Sequence, residues 1–203
     1  MRCLILITAS LCSGAIIDRT AIIVGKRVIL DSAIDRDIRV TSFLNNESAD
    51  FSATSRKKVA SRLIDQALIR EQVQSGNYPV ATQNEAAELL AQIKKDRFAS
   101  DPQYRRALSQ AGVSEAELKD QLVWQLTVLR FIDARFRPAV VVSDEEIQRY
   151  YTTHRSEFKA SLDEARQTII DQLSGARVNT LLDDWLKEIR TQTRVEYLEK
   201  SLQ

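Results

Sequence analysis

From Leu162 the chain keeps a helical hydrophobic period for about 30 residues, but the apolar stripe changes sides partway along. Leu162, Ala165, Ile169, Leu173 and Ala176 fall on one side. Val178, Leu181, Leu182, Trp185, Leu186 and Ile189 centre on nearly the opposite one. A single straight helix on one flat core has no use for such a switch. Either this helix crosses between two packing regions, or it kinks at Ser174-Gly175, where Gly costs about 1 kcal/mol relative to Ala in a helix interior. Both alternatives describe an extended molecule of helical units with clefts between them, whose C-terminal segment returns to the N-terminal part.

Composition agrees with a helical chain. Only 5 Gly and 3 Pro occur in 203 residues, too few for a turn-rich sandwich or barrel or for a Gly-cradled phosphate site. Basic and acidic residues nearly cancel, 29 against 28, so no bulk field favours nucleic acid or an anionic membrane.

The capping signals divide the chain into helices. Thr20 to Leu30 (TAIIVGKRVIL) has two short apolar runs about Gly25-Lys26 and predicts a β-hairpin. Asp31-Ser32 is placed to cap a helix over roughly Ala33 to Leu44, and Ser52 to Ser55 to cap the next, which runs to about Gln74. Thr82 opens a third, reaching about Phe98. Asp101-Pro102 starts a short fourth that ends at Ala111-Gly112. Ser114 with Glu117, and Ser143 with Glu146, form capping boxes, in which the hydroxyl and the carboxylate satisfy each other's backbone N–H groups. The helix opened at Ser114 carries Leu118, Leu122, Leu126, Leu129, Ile132 and Phe136 on one face and Trp124, Val128 and Phe131 on a second. A helix apolar on so much of its circumference is central: several neighbours bury it, or one face is kept for an apolar partner. Arg194 to Leu198 alternates like a strand and is expected to join the hairpin in one small sheet.

At the N-terminus, Met1-Arg2, an uncharged run from Cys3 to Cys12 and Ser13-Gly14-Ala15 have the pattern of a secretory signal cut after Ala15. The run is well short of the ~20 residues that span a bilayer. Residues 1–15 are thus expected to be a signal peptide and 16–203 one helical domain with its hairpin and C-terminal helix and strand packed together. Cleavage would remove both cysteines and leave the two charge signs equal at 28 each.

No catalytic or metal constellation stands out, and no cofactor motif is present. His154 is the one histidine, near a helix end, and without mature Cys a thiol mechanism is excluded. Asp144-Glu145-Glu146 and Asp183-Asp184 fit helix-start and solvent-face charges, and Arg56-Lys57-Lys58 fits a solvated face.

Five segments, in order, resemble the SurA-like family of secreted peptidyl-prolyl isomerase chaperones. They are Asp18 to Leu30, Leu63-Ile64-Asp65-Gln66-Ala67-Leu68-Ile69, Ala111 to Leu118, Val142 to Tyr151, and Trp185 to Arg190 with Val195 to Leu198. The resemblance covers nearly the whole mature chain. It implies a mainly α, elongated multi-helix peptide-binding domain of the SurA/trigger-factor-like kind, with a small β-hairpin joined by a C-terminal strand. The family's parvulin-type isomerase domain usually follows the Tyr-Tyr segment; here Glu157 to Ser161 leads straight into the last helix, so isomerase activity does not carry over.

The resemblance further implies an ATP-independent periplasmic holdase, in a Gram-negative-type envelope, for unfolded secreted proteins such as outer-membrane β-barrel precursors. Neither nucleic acid nor stable membrane insertion is expected; a homodimer is left open. Apolar side chains of unfolded clients gain about 25 cal/mol per Å² on leaving water, so an inter-helix cleft could hold them without a nucleotide. Candidate lining residues are Phe98, Tyr104, Trp124, Phe131, Tyr150 and Tyr151. The alternative is a non-enzymatic structural or assembly subunit that binds one folded partner in an envelope complex.

Overall fold

A computed structural model describes residues 18–203; the expected signal at residues 1–15 lies outside them. The chain opens with strands β1 (Thr20–Val24) and β2 (Arg27–Leu30), which pair antiparallel through the two-residue turn Gly25-Lys26. Gly25 takes φ +58°, a left-handed step that any side chain would strain. Its N–H donates to Arg194 O at 2.9 Å. Helices α1 (Asp31–Asn45), α2 (Ala53–Ser75), α3 (Gln83–Arg97), α4 (Asp101–Ala111), α5 (Glu115–Arg135), α6 (Asp144–Thr153) and α7 (Leu162–Gln192) follow. Strand β3 (Val195–Tyr197) then pairs antiparallel with β1, giving the order β2-β1-β3 and joining the two ends of the described chain.

Helix starts follow the capping signals closely. Thr82, Ser114, Ser143 and Ser161 all form capping boxes, with Glu85, Glu117, Glu146 and Glu164 respectively. The first helix differs from expectation. It begins at Asp31, preceded by Leu30, with no side-chain cap. The Ser32 hydroxyl donates instead to Asp18, and Asp31 accepts an ion pair from Arg56 at 2.5 Å. Asp31 in the first turn still opposes the helix dipole, so the acidic residue helps the terminus without capping it. The pairing also corrects the solvated-face reading of Arg56, which is held by Asp31 and Asp35 of α1.

Among the described residues the interior is divided among four cores. The first lies between the sheet, α1 and α2 and takes in Ile22, Ile34, Ile64, Leu68 and Leu202. The second joins the end of α1 to α3, α4 and the start of α5, around Leu90, Tyr104 and Leu118. The third joins the end of α2 to the second half of α5 and the middle of α7. The fourth lies between α6 and the first half of α7, around Ile147 and Ile169.

Helix α7 passes through three of these, which explains its double stripe. Ile169 packs against α6, whereas Val178, nine residues on, packs in the third core. Nine steps of 100° turn the helix by half a revolution, so partners on opposite sides require opposite faces. Ile189 then reaches the sheet core. The helix is continuous across Ser174-Gly175 and crosses between packing regions, the first of the two alternatives. At about 1.5 Å per residue its 31 residues span about 46 Å.

Candidate functional site

The six candidate lining residues separate into different environments. Phe131 is fully buried in the third core, edge-on to Tyr78 at 4.9 Å and to Phe136 at 5.9 Å. Tyr104 is 1% exposed in the second core, edge-on to Phe98 at 5.3 Å. These two are core residues with almost no surface to offer a client. Their faces on α4 and α5 are the ones the neighbouring helices cover.

Tyr150 and Tyr151 lie elsewhere, on α6. Both are partly buried around Phe158 in the fourth core. Tyr151 donates its hydroxyl to Ala160 O at 2.8 Å, and Tyr150 stacks on His154 with ring centres 4.0 Å apart. His154 follows the last turn of α6, with Nδ1 3.0 Å from Tyr150 O; its ring serves this corner.

Phe98 and Trp124 do reach open grooves, and not the same one. Phe98 stacks on Phe43, centres 6.2 Å apart and planes 13° apart, at the wall of a groove of about 830 Å³. Phe51, 44% exposed, lies across it. The ends of α1, α3 and α4 converge there. Arg97 braces it by donating to Phe43 O at 3.1 Å and to Leu44 O. Phe43 and Phe51 were not singled out from sequence. Phe43 offered only its place near the end of α1, and Phe51 lies in a polar connection.

Trp124 stands in a cleft between α2 and α5. The residue is 5% exposed: it packs in the third core, and the Arg70 guanidinium covers its ring at 3.7 Å. Val73, Val80, Ala81 and Val123 line the surrounding space of about 490 Å³. The wall opposite α2 is fixed by the buried Thr127 hydroxyl, which accepts from Ala81 N at 3.0 Å. Arg130 secures the same loop, donating to Val80 O at 2.8 Å and pairing with Glu85.

Past Arg70 and Asp120, which line both parts, the cleft continues into a second space of about 230 Å³ with polar walls. There Arg36 and Asp37 of α1 face Glu117 and Gln121 of α5. The Asp37 carboxylate, 7% exposed, is held by Arg62 of α2. Glu117 is kept below the ordinary carboxylate range chiefly by the Ser114 N–H and hydroxyl, with Arg36 and Arg39 adding to it. From Glu117 to Thr127 the α5 wall is about 15 Å long, the reach of four or five extended residues.

The arrangement can hold a chain rather than transform one. It offers an apolar end against an indole, a polar end with both charge signs, and a length suited to a peptide. Among the described residues no group of three or more His, Cys, Asp and Glu is disposed to hold a metal, and no helix is long and apolar enough to cross a membrane. Compared with known proteins, the chain matches no family model and no curated protein.

Proposed function

We propose that this chain is an ATP-independent holdase of the cell envelope that binds unfolded polypeptides in the α2–α5 cleft. The observation that carries this reading is the cleft itself: about 15 Å long, open, apolar beside Trp124 and polar beyond Arg70. A small-molecule site would be enclosed; an unfolded chain needs a track that takes varied side chains and releases them. The five SurA-like segments support the same reading, and the Phe43–Phe98–Phe51 groove offers a second apolar contact for a longer client. Outer-membrane β-barrel precursors, with alternating apolar residues, are the client class the resemblance favours.

Aggregation of a diluted outer-membrane protein tests this directly. Purified protein in modest molar excess should slow it, and Val80→Gln, at an exposed cleft wall, should weaken the effect with the fold intact. In a Trp185→Phe background, a bound peptide should change Trp124 fluorescence. No effect on several unrelated clients would overturn the proposal.

A second reading, an assembly subunit with one folded partner, is favoured by a different surface. Val141 is 78% exposed and Leu181 38%, beside Val140 and Ala176 where α7 passes the link after α5. Tight, stoichiometric binding to one folded protein, abolished by Val141→Asn, would favour it.

A further inference from the structure

Arg70, which lines both parts of the cleft, has no ion-pair partner among the described residues. Its guanidinium lies on the Trp124 ring at 3.7 Å. Burial lowers its pKa first, and a second cation, Arg27, lowers it further. Arg27 is also without an ion pair among the described residues; it donates instead to Gln74 Oε1, and Gln74 lines the apolar end of the cleft. Asp120, on the opposite lip, does not pair with Arg70 and accepts from Gln83 Nε2 at 3.1 Å. Two guanidinium groups, Arg70 in the apolar end and Arg27 held beside it on Gln74, therefore repel each other, and Arg70 is partly desolvated.

Resting on the holdase reading, we infer that the α2–α5 cleft selects extended segments in which an Asp or Glu side chain neighbours a large apolar one. The carboxylate docks on Arg70 and Arg27 while the apolar side chain enters beside Trp124. A guanidinium stacked by its face keeps its in-plane N–H donors free, and a carboxylate accepts two of them side by side. The anion also relieves the repulsion between the two arginines. The acid is internal to the client because the cleft runs on past Arg70 to Gln121, leaving room for the chain on both sides.

The test uses two short amidated peptides with one central aromatic pair and either Asp or Asn beside it, titrated calorimetrically into the full protein. The Asp peptide should bind about tenfold more tightly, the worth of one good charge-assisted contact. Arg70→Gln should erase that difference between the two peptides. Arg27→Gln, which leaves the Trp124 contact untouched, should narrow it. Equal affinities in the wild type would overturn the inference while leaving client binding standing. Binding of neither peptide, with no suppression of aggregation, would overturn both. A preference for the free-acid over the amidated form of the Asn peptide would assign the arginines to a chain terminus and overturn the internal-acid form.

Discussion

Arg190, near the end of α7, donates from Nε to Asp65 Oδ1 of α2 at 2.6 Å, and its terminal nitrogen reaches Ser61 O at 2.9 Å and Ser61 Oγ at 3.0 Å. Asp65 and partial burial have opposite effects on the guanidinium; the carboxylate prevails and raises its pKa. The contact spans 125 positions of sequence and fastens the last turns of the longest helix to the first core. Arg190→Ala should lower stability by about 1–2 kcal/mol, since the pair is only partly screened and leaves Asp65 and Ser61 without their donor. Denaturant unfolding measures this; an unchanged midpoint would mean that water replaces the contact in full.

Deleting residues 194–203 removes the whole of β3 and the buried Leu202. Leu202 contributes about 2 kcal/mol by burial, and Val195 and Tyr197 add their half-buried surface on β1. The melting temperature should fall by about 10 °C, at 2–4 °C per kcal/mol for a domain of this size. The deletion would also leave Gly25 N–H without its acceptor.

Gly175→Ala should stabilise the protein by about 0.5–1 kcal/mol, through helix propensity and a less flexible unfolded chain. A Cβ built there meets no atom within 4 Å, and Gly175 has no left-handed backbone to lose. Destabilisation would show that α7 needs flexibility at this point, reviving the kink.

The acid side of the stability curve should depend on Glu85. The Thr82 N–H, the Arg130 guanidinium and the Thr82 hydroxyl hold its carboxyl at about 2, against an ordinary 4.5. A depressed carboxylate contributes its full stabilisation above the unfolded value and loses it as pH falls through the folded one. The loss therefore lies between about 4.5 and 2. Glu85→Gln should lower the melting temperature at neutral pH and flatten its fall across that window. Parallel melting curves for the two proteins from pH 5 to 2 would refute the assignment.

Much of the local structure was legible because its causes are local. A capping box satisfies backbone donors within three residues, so Thr82, Ser114 and Ser143 mark helix starts whatever packs around them. Gly112, at φ +61° after α4, ends its helix for the same kind of reason. The pairing of the C-terminal strand with the hairpin was also legible, since only a partner strand suits an alternating run at the end of a helical chain. Where the local signal was weakest, at Asp31-Ser32, ion pairing with a distant arginine took the place of the cap.

Which apolar face is used is another matter. Leu129 shares the α5 stripe with Leu118, yet Leu129 is 58% exposed and Leu118 fully buried. The stripe reports what a helix can bury, and only the neighbours decide what it does bury. Phe131 and Trp124 look alike in sequence; one is sealed by Tyr78, Phe136 and Trp185, and the other is roofed by an arginine 54 positions away. Sequence alone determined the helices, the capping-box starts, the hairpin and the reversal of the α7 stripe, because backbone hydrogen bonding and 3.6-residue periodicity act within a few residues. Tertiary structure decided the four cores, the burial of Phe131 and Tyr104 and the α2–α5 cleft, because burial belongs to pairs of surfaces that no single segment contains.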